Sequence, residues 1–292
     1  MADSDNRSPS QLTQVTTLND SDLFIVSIDV PSAPKTRAIK KSDIITPSVG
    51  YIADNCAQLL YVGAQAYSVL PGSADVNGTI LTWASNIART SLSLTADTLY
   101  NVYLYSNSGT PAVEESTTAP VWDSTLGYYK KTGDDTRRFI GFINASATNT
   151  IRNFMHVVTG TRVSEIIYID GSVTGKSAVT SGSGASSWTS FSLSTLVPLP
   201  ATHYYAIAKL SGTAANDDAT AGISPTDLGS GITGNLAPFI VRGDNDVAGS
   251  SIFFGSTWLS IYTAQTGYYR IAHVVGTGSL LTLQVHGARF LR

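Results

Sequence analysis

The sequence predicts an almost entirely β-structured protein: an N-terminal arm followed by two β-sandwich or jelly-roll-like domains. Three observations carry this. Short runs rich in Val, Ile, Tyr, Phe and Thr recur along the chain, separated by Gly, Pro, Asn and Ser. Almost no stretch shows the ~3.6-residue apolar period of an amphipathic helix. The acids are nearly all Asp, with Glu114, Glu115 and Glu165 the only glutamates; Asp favours caps and turns, whereas Glu favours helices.

At 292 residues the chain is long enough for two domains with their own cores. We divide it into an arm at 1–48, a first β-sandwich domain at 49–170 and a second, sandwich or jelly-roll-like, at 171–292. In the arm, residues 1–10 are polar and read as unstructured, and Asp22-Leu23-Phe24-Ile25-Val26 reads as a strand. Val30–Pro34 is a turn, Lys35 to Lys41 a polar return strand, and Ser42-Asp43-Ile44 can cap one helical turn. A hairpin of this size is marginal on its own in water, so the arm calls for a partner surface.

From Val49 the short β-runs begin. Leu99–Tyr105 is a strong strand, Arg138–Ile143 a second and Ile166–Ile169 a third. The Gly/Ser/Thr-rich passage from Gly171 to Ser187 reads as a linker or long loop. A second set of strands follows at His203–Leu210, Phe239–Arg242, Ile252–Tyr262, Tyr269–Val275 and Leu280–His286. In the last, Leu281, Leu283 and Val285 alternate with Thr282, Gln284 and His286, the pattern of a half-buried strand. Short strands separated by turn residues suit sandwiches and jelly rolls.

Composition bounds the function. Charged residues are 13% of the chain, about half the ~25% of an average domain. The polar surface is therefore built of hydroxyls and amides, and tolerates packing against identical copies. A net charge of −3 leaves no basic excess for nucleic acid. No apolar run approaches the ~20 residues of a membrane span, and the polar start MADSDNRSPS lacks the apolar core of a secretory signal. The lone Cys56 excludes an internal disulfide and reads as a small buried residue.

Leu12–Val26 followed by Lys35–Ile44 resembles the N-terminal segment of many phage tail-fibre and tailspike proteins, where such a segment forms a small arm near the particle. Leu99–Asn144, with Leu99–Tyr105 and Lys131–Gly141, resembles a module common in phage fibre and head-decoration proteins. The resemblance covers residues 1 to about 150. It implies a virion protein made in the bacterial cytoplasm, a homotrimer, and attachment to other virion proteins through the arm. Leu23, Phe24, Ile25, Val26, Lys40 and Lys41 are then the expected attachment residues. Exposed-looking Tyr and Leu on both faces of Leu99–Tyr105 add to the expectation of burial against identical subunits.

Enzymatic signatures are weak, and we expect no enzyme and no cofactor. Gly171–Ser177 is one residue short of a phosphate-binding loop. Gly229-Ser230-Gly231-Ile232-Thr233-Gly234 spells a dinucleotide fingerprint but lacks its strand–turn–helix setting. His156, His203, His273 and His286 fall on separate strands without metal-ligand spacing. Paired acids could cleave a polysaccharide, and Asp134/Asp135, Asp217/Asp218 and Asp244/Asp246 are the available pairs. Neighbouring strand residues face opposite ways, and Asp in loops is mostly turn-forming. Asp244-Asn245-Asp246 could instead contribute oxygen ligands to calcium, though an ordinary turn explains it and no metal site is expected.

Binding residues sit mostly on loops held by a rigid scaffold. We therefore place a candidate host-glycan site on Trp188, Asn216, Asp217, Asp218, Asp244, Asn245 and Asp246, in or beside three polar loops of the second β-domain, Gly182–Thr189, Gly212–Gly234 and Gly243–Ser251. The plain alternative is that Trp188 is core and the acids form turns. The functional expectation is a fibre-like or tip protein that binds the host surface. A head or tail decoration protein is the alternative, and a glycan-cleaving tailspike ranks behind both.

Overall fold

The computed structural model describes residues 23–28, 35–40, 51–53, 56–159, 162–169, 176–182, 187–211, 218–229, 237–243, 252–261, 265–275 and 280–292. The described residues contain strands and turns and no helix, and every strand pairing is antiparallel. The chain separates into two compact units, Met1–Ser48 and Val49–Arg292. The first holds a hairpin of β1 (Leu23–Ile28) and β2 (Lys35–Lys40), in register from Leu23 opposite Lys40 to Ile28 opposite Lys35. Its strands match the two apolar and polar runs read from the sequence; Lys41 and the Ser42-Asp43-Ile44 turn lie outside the described residues.

In the larger unit the chain runs through β3 (Leu59–Gly63), β4 (Ala66–Val69), β5 (Gly72–Val76), β6 (Thr79–Trp83) and β7 (Ile87–Arg89). It continues with β8 (Leu99–Asn107), β9 (Thr110–Ser116), β10 (Pro120–Asp123), β11 (Tyr128–Lys131) and β12 (Asp134–Asn144). Then come β13 (Phe154–Thr159), β14 (Val163–Tyr168), β15 (Lys176–Gly182), β16 (Thr189–Ser192) and β17 (Ala201–Ser211). The last are β18 (Asp218–Ser224), β19 (Phe239–Gly243), β20 (Ile252–Ser260), β21 (Thr266–Val275) and β22 (Leu280–Leu291).

Three sheets build the bulk. A five-stranded sheet has the order β10-β11-β12-β8-β9, and a four-stranded one β16-β21-β18-β19. Between them in importance is a six-stranded sheet, β13-β14-β22-β17-β20, with β15 also pairing β22. Lys176–Gly182, part of the passage read as a loop, is thus a strand. Its Ser/Thr/Gly composition carries little strand signal; backbone pairing to β22 and burial of Val179 hold it. β13 and β14 precede Asp170 and β15, β17, β20 and β22 follow it, so one sheet and one apolar cluster run across the boundary drawn there.

The inner face of the six-stranded sheet is dictated by alternation. Tyr204, Ala206, Ala208 and Leu210 of β17 and Leu281, Leu283 and Val285 of β22 are buried, at 2% exposure or less. A register shift between Tyr205 and Ala206 lets β22 turn Ala288 and Phe290 inward as well. Phe290 meets Phe139 and Phe142 of β12 edge-to-face, at centroid distances of 5.6 and 5.4 Å, which joins the five-stranded sheet to the six-stranded one. Each such contact adds about 0.5–1.5 kcal/mol to the burial of its rings. At Gly287 a side chain is excluded: a Cβ would sit 2.3 Å from the Ile166 carbonyl oxygen.

Two features depart from the sequence reading. Val102, Tyr103 and Leu104 of β8 are fully buried within the chain, so both faces of that strand are covered without a second subunit. Two arginines, Arg138 and Arg292, are also at 1% exposure or less. Arg138 donates to the carbonyls of Tyr51 (2.5 Å) and Asp75 (3.0 Å) and stacks 4.5 Å from the Tyr128 ring. Arg292 donates to the Cys56 carbonyl. Burial depresses the Arg138 guanidinium to about 10, which still leaves it charged at neutral pH. Cys56 itself is a buried free thiol, as its composition suggests.

Candidate functional site

The sequence expectation places ligand chemistry on loops; among the described residues, a group of aromatic and charged side chains stands on the outer face of the six-stranded sheet. Alternation along β17 sends His203, Tyr205 and Ile207 outward, opposite the buried Tyr204 and Ala206. Pairing then assembles two parallel rows across four strands. One runs Glu165, Arg289, His203, Ser260. The next runs Ile167, Gly287, Tyr205, Trp258. Neighbouring strands lie about 4.8 Å apart, so facing side chains in each row touch.

The rows interlock. Arg289 Nε donates to Glu165 Oε1 at 2.7 Å, and its second nitrogen lies 2.6 Å from the same oxygen. The guanidinium stands 5.4 Å from the Trp258 ring centroid, and Trp258 meets Tyr205 at 5.3 Å with planes tilted by 48°. At 5.4 Å the guanidinium and the partly exposed indole attract each other through a cation–π contact. His203 is half-buried beside it. Burial, then the Arg289 charge, lower its pKa below the ordinary value, against the opposing pull of Glu165. It therefore stands neutral at pH 7, able both to donate and to accept.

This arrangement offers two partly exposed aromatic rings flanked by a carboxylate, a guanidinium and an imidazole. Aromatic faces suit the C–H surface of a sugar ring, and charged groups give the stronger hydrogen bonds to its hydroxyls. Glu165 is the one carboxylate on this face among the described residues. Glycosidic cleavage uses two. The face is suited to holding a ligand.

The residues singled out from the sequence fall elsewhere. Trp188 is buried, at 8% exposure, and presents little ring surface. Asp218 opens β18 opposite Val275, with its side chain undescribed. Asn216, Asp217, Asp244, Asn245 and Asp246 lie outside the described residues. Of the carboxylate pairs, Asp134 accepts from the Thr136 amide (2.9 Å) and hydroxyl (2.6 Å), while Asp135 pairs with Lys130. Those two shape the Gly133 turn, where φ is +81°. Among the described residues no group of three His, Cys, Asp or Glu side chains could hold a metal ion.

Sequence reasoning missed Glu165, Tyr205, Trp258 and Arg289 because they come from four strands spread over the chain. One signal was available: the alternation of β17 places Tyr205 and His203 together on the face opposite Tyr204. Compared with known proteins, the chain matches no protein-family model and no curated sequence.

Proposed function

We propose that the chain is a non-enzymatic binding component of a tailed-phage virion, a fibre-like or tip protein that contacts a host-surface glycan. The observation that carries the binding half of this reading is the Tyr205–Trp258–Arg289–Glu165 constellation on an open sheet face. The phage half rests on the resemblance of Leu12–Ile44 and Leu99–Asn144 and on the low charge of the whole chain. In this reading the arm anchors the protein, β-sandwich modules follow it, and the molecule works as a homotrimer in the virion.

The glycan reading is tested on an array of bacterial surface polysaccharides probed with the full-length chain. Trp258→Ala removes the stacking ring and the cation–π partner, together about 1–2 kcal/mol, and should weaken binding roughly tenfold. Equal binding by a folded Trp258→Ala protein would reject this face as the site. Deleting residues 1–48 should leave the fold and the trimer intact, read by circular dichroism and light scattering, yet abolish incorporation into purified particles. A truncated chain still found in particles removes the anchor role, and a monomeric intact chain removes the trimer.

The decoration reading has its own support. Met155 (46% exposed) and Ile169 (54%) lie beside Ile167 at the β13–β14 edge of the same sheet. Half-exposed apolar side chains at such an edge suit a protein partner. An array without signal, combined with normal incorporation, would favour that alternative.

A further inference from the structure

We propose that the ligand of the outer sheet face is a linear polysaccharide with acidic groups along its chain, lying along β17 from Arg289 to Lys209. The inference rests on the glycan reading above and adds the class of glycan.

The charges on this face are few and unevenly exposed. Across β13, β14, β17, β20 and β22 the outward ones are Glu165, Arg289 and Lys209, two cations against one acid. Glu165 and Arg289 are paired, but the Glu165 side chain is 17% exposed and that of Arg289 37%. Arg289 is therefore the more accessible end of the pair. Lys209 stands outward by the alternation that buries Ala208 and Leu210 on either side of it, and is partly exposed. His203 is neutral at pH 7 and adds no charge. A ligand lying on this face meets cations first.

Geometry decides how many acidic groups such a ligand carries. Arg289 is opposite His203 in the register, and Lys209 lies six residues further along β17. At ~3.4 Å per residue the two rows are about 20 Å apart. That exceeds the ~8 Å Debye length at physiological salt, so a single anion cannot answer both cations. A ligand that uses both is a chain with acids at intervals. The rows between suit a sugar chain. Tyr205 and Trp258 offer rings one row in from Arg289, and the next row holds Gln284, Ile207 and the exposed Ser256. Rings suit C–H surfaces, and an amide and a hydroxyl suit sugar hydroxyls. Single-stranded nucleic acid also combines regular anions with stackable rings. It is the poorer fit, because two cations displace few counterions and the chain as a whole carries a charge of −3.

Calorimetry on the full-length protein tests this with polygalacturonate, alginate and hyaluronan. Each is compared with its methyl ester, which keeps the sugar chain and removes the charge. At low salt at least one acid form should bind about tenfold tighter than its ester, and added salt should erase the difference. Lys209→Glu reverses an outward charge and should weaken that binding about tenfold; Lys209→Gln should weaken it about threefold and keeps the test should the first variant fail to fold. Arg242→Glu makes the same change of net charge elsewhere. Val241 packs toward Gly255 on the inner side of the sheet, so the exposed Arg242 beside it faces away, and binding should hold. Equal binding of acid and ester, lost in Trp258→Ala, overturns the proposal and leaves the glycan reading standing. Equal losses in Lys209→Glu and Arg242→Glu overturn it, as does tighter binding of an oligothymidylate than of any polysaccharide. No binding of either form overturns it too, and the polysaccharide array then decides the glycan reading on its own.

Discussion

Replacing Glu115 with alanine should destabilise the protein by about 3 kcal/mol, the low end for breaking a buried ion pair by removing one partner. Glu115, on β9, has a side chain only 8% exposed. Its Oε1 accepts from the Tyr67 hydroxyl at 2.5 Å and from Arg89 Nε at 2.9 Å, while Oε2 accepts from Arg89 Nη2 at 2.6 Å. Tyr67 is fully buried on β4 and Arg89 sits on β7, so one carboxylate joins the three-stranded sheet β3-β4-β7 to the five-stranded sheet. Without it the Tyr67 hydroxyl is buried and unpaired. The low end is chosen because Arg89 is 38% exposed and can turn to water. Burial first, and then the Glu115 carboxylate, push the Tyr67 phenol well above 10, so it remains a donor at every working pH. Calorimetry should record a fall in Tm of roughly 6–12 °C, at ~2–4 °C per kcal/mol for a unit of this size. Glu115→Gln, which keeps one acceptor, should lose less. A change below about 1 kcal/mol for Glu115→Ala would mean that the three residues act independently.

Acid should also weaken the fold, and chiefly through one imidazole. His156 on β13 is 2% exposed, and its Nδ1 accepts from the Leu59 amide at 2.8 Å, tying β13 to β3. The Nδ1 lone pair is thereby engaged, so the proton sits on Nε2. Burial, and secondarily the Arg292 charge, depress its pKa from 6.5 to about 3. The unfolded chain takes up a proton near pH 6.5 that the folded chain refuses until about pH 3. Stability is therefore complete above pH 7 and falls as the pH drops through that window, by on the order of 1.4 kcal/mol per pH unit. His203, with its pKa lowered by burial and by Arg289, acts in the same direction. Glu114 titrates below 4.5: burial raises its pKa, but hydrogen bonds from Lys131 and Arg137 outweigh that and hold it low. Urea midpoints compared at pH 7.5 and 5.0 thus isolate the histidines. His156→Asn keeps an acceptor near the Leu59 amide; it should be less stable at pH 7.5 but lose less on acidification. An identical acid slope in that variant would remove His156 as the cause.

The fold class was legible because alternation is local. Leu281, Leu283 and Val285 announce the inner face of β22, and the run His203–Leu210 announces β17. What alternation cannot carry is the partner of a strand. Nothing near Ile166 or Ile167 marks β22 as its neighbour more than a hundred residues later, so the sheet that crosses Asp170 was hidden. β15 was hidden for a different reason: its Ser, Thr and Gly side chains contribute little packing, and its pairing is a backbone matter. The buried charges have no local signal in the sequence, because the groups that receive Arg138 and Arg292 are backbone carbonyls of the distant Tyr51, Asp75 and Cys56. Of the expected site, Trp188 turned out to be buried, while the outward Tyr205 and Trp258 were readable only once the register was known.

β22 lies between β14 and β17, yet it comes last of the three in the chain. Translation is vectorial, at about 5–20 residues per second. From the time Ser211 emerges until Leu291 does, β14 and β17 each lack a neighbour, and their backbone edges stand open. Such edges are templates for pairing between nascent chains, a hazard that grows where many copies are made at once. The six-stranded sheet, and with it the Glu165–Arg289 pair, can close only after residue 289 is made. The register that sets Arg289 between Glu165 and His203 is therefore absent from a chain stopped before Leu280, whereas the direct pairing of β17 with β20 that brings Tyr205 to Trp258 needs no residue of β22.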